Sequence, residues 1–300
     1  MRWRTAAALA LILTASAATP QIHRVPAAAP FDPAQEEQRL ESALRLLAPQ
    51  RPGTVDAYVI AIALDTDPVF GREAREAGEV LERRFDAARR TIVLAGAPDE
   101  AERPTPRGSP GSLSRALSRI AELMDEQEDV LVLYSTTHGT PLGLTYRDGD
   151  RETATITPKQ MRSLLDQNNM QNRLLIISAC YSGIFIPGLQ TTNSVIVTAA
   201  SRDRASFGCI ADNDWTFFGD AMINHALRKP QSLGAAYAEA AALVTEWERR
   251  FEVTPSLPRI FLGAASARWL TALERRMPRT ATRPVGRPAV ESGAGIAVQP

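Results

Sequence analysis

The strongest structural signal in the chain is RLLIISACYSGIFI, residues 173–186. Its unbroken apolar run, Leu174 to Ile177, is typical of a strand buried on both faces of a parallel sheet. The run ends in small residues and then Cys180, and the YSG triplet that follows permits a sharp turn. A thiol at the carboxyl end of such a strand opens into the crevice where α/β sheets bind ligands.

A second segment repeats this design. The apolar run from Val130 to Tyr134 (VLVLY) leads through three hydroxyl residues to His138 and Gly139. If the two strands are neighbours in one sheet, the histidine and the cysteine reach the same edge. A cysteine beside an imidazole can be held as a thiolate, which is the nucleophilic form. The two segments therefore predict an enzyme that uses a Cys/His pair.

Apolar runs alternate with amphipathic segments over most of the chain. Strands are predicted at 55–64, 91–94, 130–134, 174–178, 194–198 and 259–262, with helices between most of them. This alternation predicts an α/β fold with a mainly parallel sheet and helices on both faces. An Asp-Gly turn between 142–146 and 153–156 adds a predicted hairpin.

Charge and residue counts exclude several classes of protein. The chain has 34 basic and 34 acidic residues, so no general attraction to nucleic acid or to an anionic membrane is expected. Two cysteines and three histidines do not form a cluster with metal-ligand spacing, and no glycine-rich phosphate loop is visible. We therefore expect no metal and no cofactor.

The first residues are typical of a secretory signal peptide, residues 1–17. A basic start, MRWR, precedes an apolar core at 5–14 and a small-residue cleavage site at 15–17. The predicted location is therefore periplasmic or secreted, without stable membrane insertion after cleavage, although an uncleaved anchor is the alternative. An oxidising compartment leaves open a disulfide between Cys180 and Cys209, but we expect free thiols because Cys180 has a catalytic setting.

The remaining chain is read as one core domain with flanking segments. Residues 18–53 form a leader and an N-terminal helix, residues 54–265 the catalytic domain, and residues 278–300, rich in Arg, Pro, Thr and Gly, a disordered tail. A proline-rich loop at 96–111 is a predicted flap. Either the flap or the tail is a candidate cover for the crevice.

Four motifs in order resemble the legumain family of cysteine peptidases. They are TTHG ending at Gly139, SACYSG at 178–183, VTAAS at 197–201 and WTFFGD at 215–220. The family includes the catalytic subunit of GPI transamidase and has exported bacterial members. The resemblance covers about residues 55–262 and implies a caspase-like three-layer α/β/α sandwich with a mainly parallel six-stranded sheet.

The resemblance also implies roles for individual residues. Cys180 would be the nucleophile, His138 the general base, and the amides of Gly139 and Cys180 the oxyanion hole. The small Gly139 fits this role because it lets a scissile carbonyl approach the main chain. A peptide or protein substrate would be hydrolysed through a thioester by a cysteine endopeptidase.

The substrate pocket departs from the family pattern. Ser178 stands where legumain has a glutamate, while Asp220 matches the remaining acidic pocket residue. Ser206 lies where a pocket wall is expected, and Arg72 aligns with the pocket arginine only with a shift. These four are the predicted substrate-binding residues, and cleavage after Asn does not follow from them.

Three alternative functions remain open. A non-catalytic binding or scaffold protein on the same fold is favoured by Thr137, Ser178 and Gly71, which replace polar residues of the family's site. A transpeptidase would use the same Cys/His pair with an amine in place of water. A thiol-redox protein would use Cys180 and Cys209, although these lie far apart in sequence, unlike a short redox motif.

Overall fold

A computed structural model describes residues 32–96, 105–149 and 153–291 of the chain. Its strands are β1 (Ala57–Ala63), β2 (Thr91–Leu94), β3 (Val130–Thr136), β4 (Gly139–Thr140), β5 (Gly143–Arg147), β6 (Thr153–Ile156), β7 (Arg173–Ser178), β8 (Ser194–Thr198) and β9 (Arg259–Leu262). Six of them form one sheet in the order β2-β1-β3-β7-β8-β9, in which β9 alone runs antiparallel to its neighbour. The predicted six-stranded, mainly parallel sheet is confirmed.

Helices cover both faces of this sheet. They are α1 (Pro33–Arg45), α2 (Pro68–Arg84), α3 (Pro110–Leu123), α4 (Pro158–Gln167), α5 (Phe185–Leu189), α6 (Phe217–Gly219), α7 (Leu233–Arg250) and α8 (Ala267–Arg276), and a π-helical turn (Asp220–Ala226) follows α6. One buried cluster contains side chains of α2, α7, α8 and the π-helical turn. The other contains side chains of α1, α3, α4 and α5, so the fold has three layers.

The central strands are apolar on both sides because each face of the sheet is covered. Along β3, Val132 and Tyr134 face the first cluster, whereas Leu131 and Leu133 face the second. This alternation follows from the two-residue period of a strand. Polar side chains that carry chemistry are consequently displaced to the strand ends.

A small second sheet lies directly after β3. The predicted hairpin is confirmed, since β5 pairs antiparallel with β6, and β4 pairs with β5. The amide of Thr145 donates to the carbonyl of His138 at 2.9 Å, and the Thr137 hydroxyl donates to the carbonyl of Thr145 at 2.6 Å. The hairpin thereby fixes the backbone that carries the histidine.

The C-terminal segment, residues 278–291, differs from the predicted disordered tail. The carbonyl of Val285 accepts hydrogen bonds from Trp215 Nε1 at 2.9 Å and Asn224 Nδ2 at 3.0 Å. The amide of Ala289 donates to the buried carboxylate of Asp220 at 2.8 Å. The amino-acid composition of this segment does not predict the docking, because main-chain groups, and not apolar side chains, make these contacts. Residues 292–300 lie outside the described residues.

The N-terminal predictions are described only in part. Helix α1 is the helix predicted within residues 18–53, and it packs on the core through Leu40 and Leu44. The predicted signal peptide and the leader up to residue 31 lie outside the described residues, as do residues 97–104 of the predicted flap. Within the described ranges, none of the helices has the length and apolarity needed to cross a membrane.

Candidate active site

The register of β3 and β7 brings the two predicted catalytic segments together. Thr136 is the register partner of Ser178 in this parallel pair. Two residues further along each segment lie His138 and Cys180, respectively. Both residues are 8% exposed, and their side chains line one small pocket at the carboxyl edge of the sheet. His138 and Cys180 therefore lie in one pocket, as the sequence predicts.

Main-chain amides surround the thiol of Cys180. The amide of Ser206 lies 3.2 Å from Sγ, and the Sγ–H can donate to the Ser206 carbonyl at 3.4 Å. Burial raises the pKa of the Cys180 thiol, while hydrogen bonds from the amides of Ser206, Cys180 and Gly139 act to lower that pKa. Tyr181 has a positive φ of 56°, so the chain turns sharply away after the cysteine. The thiol therefore faces a ring of N–H donors.

Gly139 lies against the backbone of Cys180. A Cβ at this glycine would come 2.0 Å from the carbonyl oxygen of Cys180, which is far inside van der Waals contact. A side chain at position 139 would therefore separate the two segments. The predicted role of Gly139, an amide donor next to the nucleophile, is compatible with this approach.

The imidazole of His138 is held from one side. Its Nε2 lies 3.3 Å from Oδ2 of Asp67, and the ring makes an edge contact with Phe70 at a centroid distance of 4.9 Å. Its Nδ1 is buried without a hydrogen-bond partner among the described residues. This network favours the tautomer that carries the proton on Nε2 and leaves the lone pair on Nδ1. Within the described residues, no hydrogen bond joins His138 directly to Cys180.

Two carboxylates at the end of β1 were missed by the sequence analysis. Asp67 contacts His138, and Asp65 accepts a hydrogen bond from the amide of Asp67 at 2.9 Å. Arg147 lies 3.2 Å from Asp65 and 3.1 Å from Asp67. Burial raises the pKa of Asp65. These carboxylates could have been found from the position of β1 beside β3, because the two strands are parallel and end at the same edge of the sheet.

Asp65, Asp67 and His138 lie close enough together to be considered as metal ligands. Ligand atoms of Asp65, Asp67 and His138 lie within 4.8 Å of one another. The guanidinium of Arg147 already pairs with both carboxylates, so a cation would have to displace it. The protein itself thus supplies a positive charge at this corner.

Glu73 is a third carboxylate near the pocket that the sequence analysis missed. Its carboxylate is fully buried and accepts hydrogen bonds from the hydroxyls of Tyr134 and Thr136 and from the amide of Thr216. The Thr136 and Thr216 contacts are both 2.8 Å long. Burial and the Glu73 charge raise the pKa of Tyr134. Glu73 thus connects α2, β3 and the segment before α6 beneath the pocket.

Two of the four predicted substrate-binding residues line the pocket. Ser178 is buried there, with its hydroxyl 3.2 Å from that of Thr216. Ser206 forms part of the wall and contacts Cys180 through its main chain. The pocket is small, with a cavity volume of about 10 Å³. Apart from His138 and Cys180, its lining consists of Phe70, Thr137, Ser178, Ala179, Ser206, Phe207, Cys209 and Thr216.

The other two predicted pocket residues lie elsewhere. Asp220 is fully buried, accepts hydrogen bonds from Asn224 Nδ2 and the amide of Ala289, both at 2.8 Å, and has its pKa raised by burial. Arg72 donates to the carbonyls of Ala211 and Asn213, next to the pocket wall. Asp220 is therefore a structural carboxylate, and Arg72 supports the wall from outside.

The second cysteine lies in the same pocket. Cys209 lines the wall, and burial raises the pKa of its thiol to about 12. Both cysteines are free thiols in the structure. The pocket therefore contains one thiol surrounded by amides and a second thiol in an apolar setting.

The segment that carries both His138 and Cys180 is similar to a known family. The model of the peptidase C13 family matches residues 111–263, a range that contains His138 and Cys180 but neither Asp67 nor Glu73. No curated protein matches the chain. Among solved structures, caspase-1 from Spodoptera frugiperda is similar with 14% identity and a TM-score of 0.46, over 70% of this chain and 87% of that one.

Proposed function

The chain belongs to the peptidase C13 family, and from this membership we propose that it is a cysteine endopeptidase with Cys180 as nucleophile and His138 as general base. The observation that carries the proposal is the pairing of Thr136 with Ser178, because it brings both side chains into one pocket. Family membership supports a peptide or protein as substrate.

The first chemical step is acylation. His138 takes the thiol proton on its unpartnered Nδ1, and Cys180 Sγ attacks the peptide carbonyl. Negative charge develops on the carbonyl oxygen, and the amides of Gly139 and Cys180 stabilise it. His138 then gives the proton to the leaving amine. The buried, neutral thiol of the free enzyme fits this order, because the proton leaves as the substrate is attacked.

The second step is deacylation. Water attacks the thioester with His138 again acting as base, and Cys180 leaves as thiolate and recovers its proton. Asp67 accepts the hydrogen bond from Nε2–H throughout, so it orients the ring and stabilises the imidazolium. Arg147 holds Asp67 in turn. An amine can resolve the same thioester, so a transpeptidase needs no further residue.

Cleavage of a peptide library by wild type and by Cys180→Ala tests this proposal. We expect cleavage by the wild-type protein and none by Cys180→Ala, while Cys209→Ala, a matched loss of the second thiol, stays active. Cleavage that survives in Cys180→Ala would contradict the mechanism. Reduced, folded wild type that neither cleaves peptides nor reacts with a peptidyl acyloxymethyl ketone would favour the scaffold function. Mass spectrometry with an added amine separates hydrolysis from transfer.

We also propose that the protein is exported. The support is the basic, apolar and small-residue order of residues 1–17. Expression of the full chain in a bacterial host should yield a periplasmic product that begins at Ala18. A product that retains Met1 in the membrane fraction would indicate the uncleaved anchor instead.

A further inference from the structure

The pocket beside Cys180 differs in charge from what the legumain resemblance implies. Within the described part of the chain, none of its lining residues is Asp, Glu, Lys or Arg. We infer that this peptidase selects a small uncharged side chain, that of alanine, glycine or serine, at the residue whose carbonyl is attacked. This inference rests on the proposed function, because Cys180 and His138 are themselves part of the pocket lining.

The size of the pocket limits the side chain. The cavity volume of the pocket is only about 10 Å³, room for about one water molecule, whereas ligand pockets usually begin at roughly 300 Å³. Phe70 and Phe207 are both buried and close the pocket with rigid rings. Phe70 is also packed against the imidazole of His138, so it has little freedom to withdraw. A long side chain therefore does not fit.

The charged groups around the pocket already have partners. Asp67 pairs with Arg147 and His138, and Arg72 donates to two carbonyls and lies 3.6 Å from Asp214. Glu73, beneath the floor, accepts hydrogen bonds from Tyr134, Thr136 and Thr216. Asp220 is directed to Asn224 and the amide of Ala289. A substrate Lys, Arg, Asp or Glu would lose its hydration without a compensating charge.

Three of the four hydroxyls in the lining, those of Thr137, Ser178 and Thr216, already have hydrogen-bond partners. Thr137 donates to the carbonyl of Thr145, and Ser178 pairs with Thr216. Thr216 additionally accepts a hydrogen bond from the amide of Gly219 at 3.0 Å. An Asn side chain brings two donors and one acceptor oxygen, and the walls leave most of them unpaired. Alanine and glycine bring no polar side-chain group, and serine brings a single hydroxyl.

Quenched peptides that differ only before the cut test this inference. We expect kcat/KM for Ala, Gly or Ser to exceed that for Asn, Asp and Lys by at least about 100-fold, because unpaired polar groups discriminate strongly. An Asn, Asp or Lys peptide cleaved as fast as the Ala peptide would overturn the inference and leave the peptidase function intact. No cleavage of any peptide, together with no labelling by the Ala acyloxymethyl ketone, would overturn both.

A charge placed in the wall gives a second, independent readout. Ser206→Asp adds a carboxylate to the lining and should raise kcat/KM for Lys relative to Ala by at least about 10-fold. Ala205→Asp is the matched control, since it adds the same charge at the neighbouring residue, which is outside the lining. Thermal denaturation verifies that both variants are folded. An unchanged Lys/Ala ratio in folded Ser206→Asp would show that substrate side chains bind elsewhere and would refute the inference.

Discussion

Asp67 Oδ2 lies 3.3 Å from Nε2 of His138, so a carboxylate from the end of β1 meets the imidazole that follows β3. The strand order explains the contact, because Ala63 of β1 is the register partner of Thr136 of β3. Two neighbouring parallel strands thus bring an imidazole and a carboxylate into contact, while the next strand, β7, leads to the thiol.

Replacement of Asp67 tests this orienting role. Asp67→Ala should lower kcat on the order of 10²-fold with little change in KM, because the imidazole loses the acceptor for Nε2–H. Asp67→Asn retains an oxygen acceptor and should recover part of kcat, which a purely structural defect would not allow. Steady-state kinetics on one peptide measures both effects. An Asp67→Ala enzyme with wild-type kcat would refute the role.

Gly139→Ala should abolish most activity. The added methyl group meets the carbonyl oxygen of Cys180, so either the donor or the nucleophile must move. We expect kcat to fall at least about 100-fold, the size of effect seen when one oxyanion donor is lost. Gly234→Ala is the control, since its Cβ meets no atom within 4 Å near the start of α7, and it should leave kcat unchanged. Equal kcat values for the two variants would contradict the close approach.

Glu73→Gln should destabilise the protein. The amide provides one acceptor oxygen in place of two, so a buried donor from Tyr134, Thr136 or Thr216 loses its partner. Urea unfolding should show a loss of roughly 1–3 kcal/mol. Glu126→Gln, at an exposed position after α3, should change stability by less than about 0.5 kcal/mol. Comparable losses for both variants would argue against the buried network.

The stability of the protein should fall as pH rises from about 4 to 6, in part through Asp129. Burial raises the pKa of this carboxyl from 3.8 to about 6, against hydrogen bonds from the amides of Asp125 and Asp56. The folded state therefore holds the proton more tightly than the unfolded state, and this advantage is lost once the pH exceeds the folded pKa. The shift corresponds to roughly 3 kcal/mol.

Comparison of wild type with Asp129→Asn isolates that contribution. The variant should show a shallower decline in the free energy of unfolding between pH 4 and 6, because position 129 no longer titrates. Urea unfolding at several pH values provides the measurement. Parallel curves for the two proteins would mean that Asp129 titrates normally in the folded state.

Truncation before Val285 should impair both stability and substrate binding. Deletion of residues 284–300 removes the partners of Trp215 Nε1 and of the Asp220 carboxylate, and each buried orphan costs about 1–3 kcal/mol. We expect a lower Tm and a higher KM, since the pocket wall lies next to Trp215. Deletion of residues 292–300 alone keeps these contacts and is the control. Higher activity in the longer deletion would instead identify the segment as an inhibitory cover.

The sequence was sufficient to predict the sheet, the hairpin and the approach of His138 to Cys180. Buried parallel strands leave an uninterrupted apolar signal, and their ends converge at one edge. Asp67 escaped notice because a carboxylate after a strand is also common in turns. Glu73 escaped because its partners come from two distant segments, and helical periodicity does not distinguish a buried carboxylate from an exposed one.

The pocket was harder to predict than the catalytic pair. Asp220 occupies the expected motif position, but its carboxylate is bound by Ala289, which was assigned to a disordered tail. The low apolar content of residues 278–291 concealed a segment that docks through main-chain hydrogen bonds. Where the backbone makes the contacts, side-chain patterning carries little information.

The docked C-terminal segment also has a consequence for the order of folding. Ribosomes build a chain from its N-terminus, so Val285 and Ala289 emerge after Trp215 and Asp220. Trp215 and Asp220 cannot acquire these partners until then. A nascent chain that ends before Val285 therefore contains every residue that lines the pocket, but the support behind the pocket wall is completed only later.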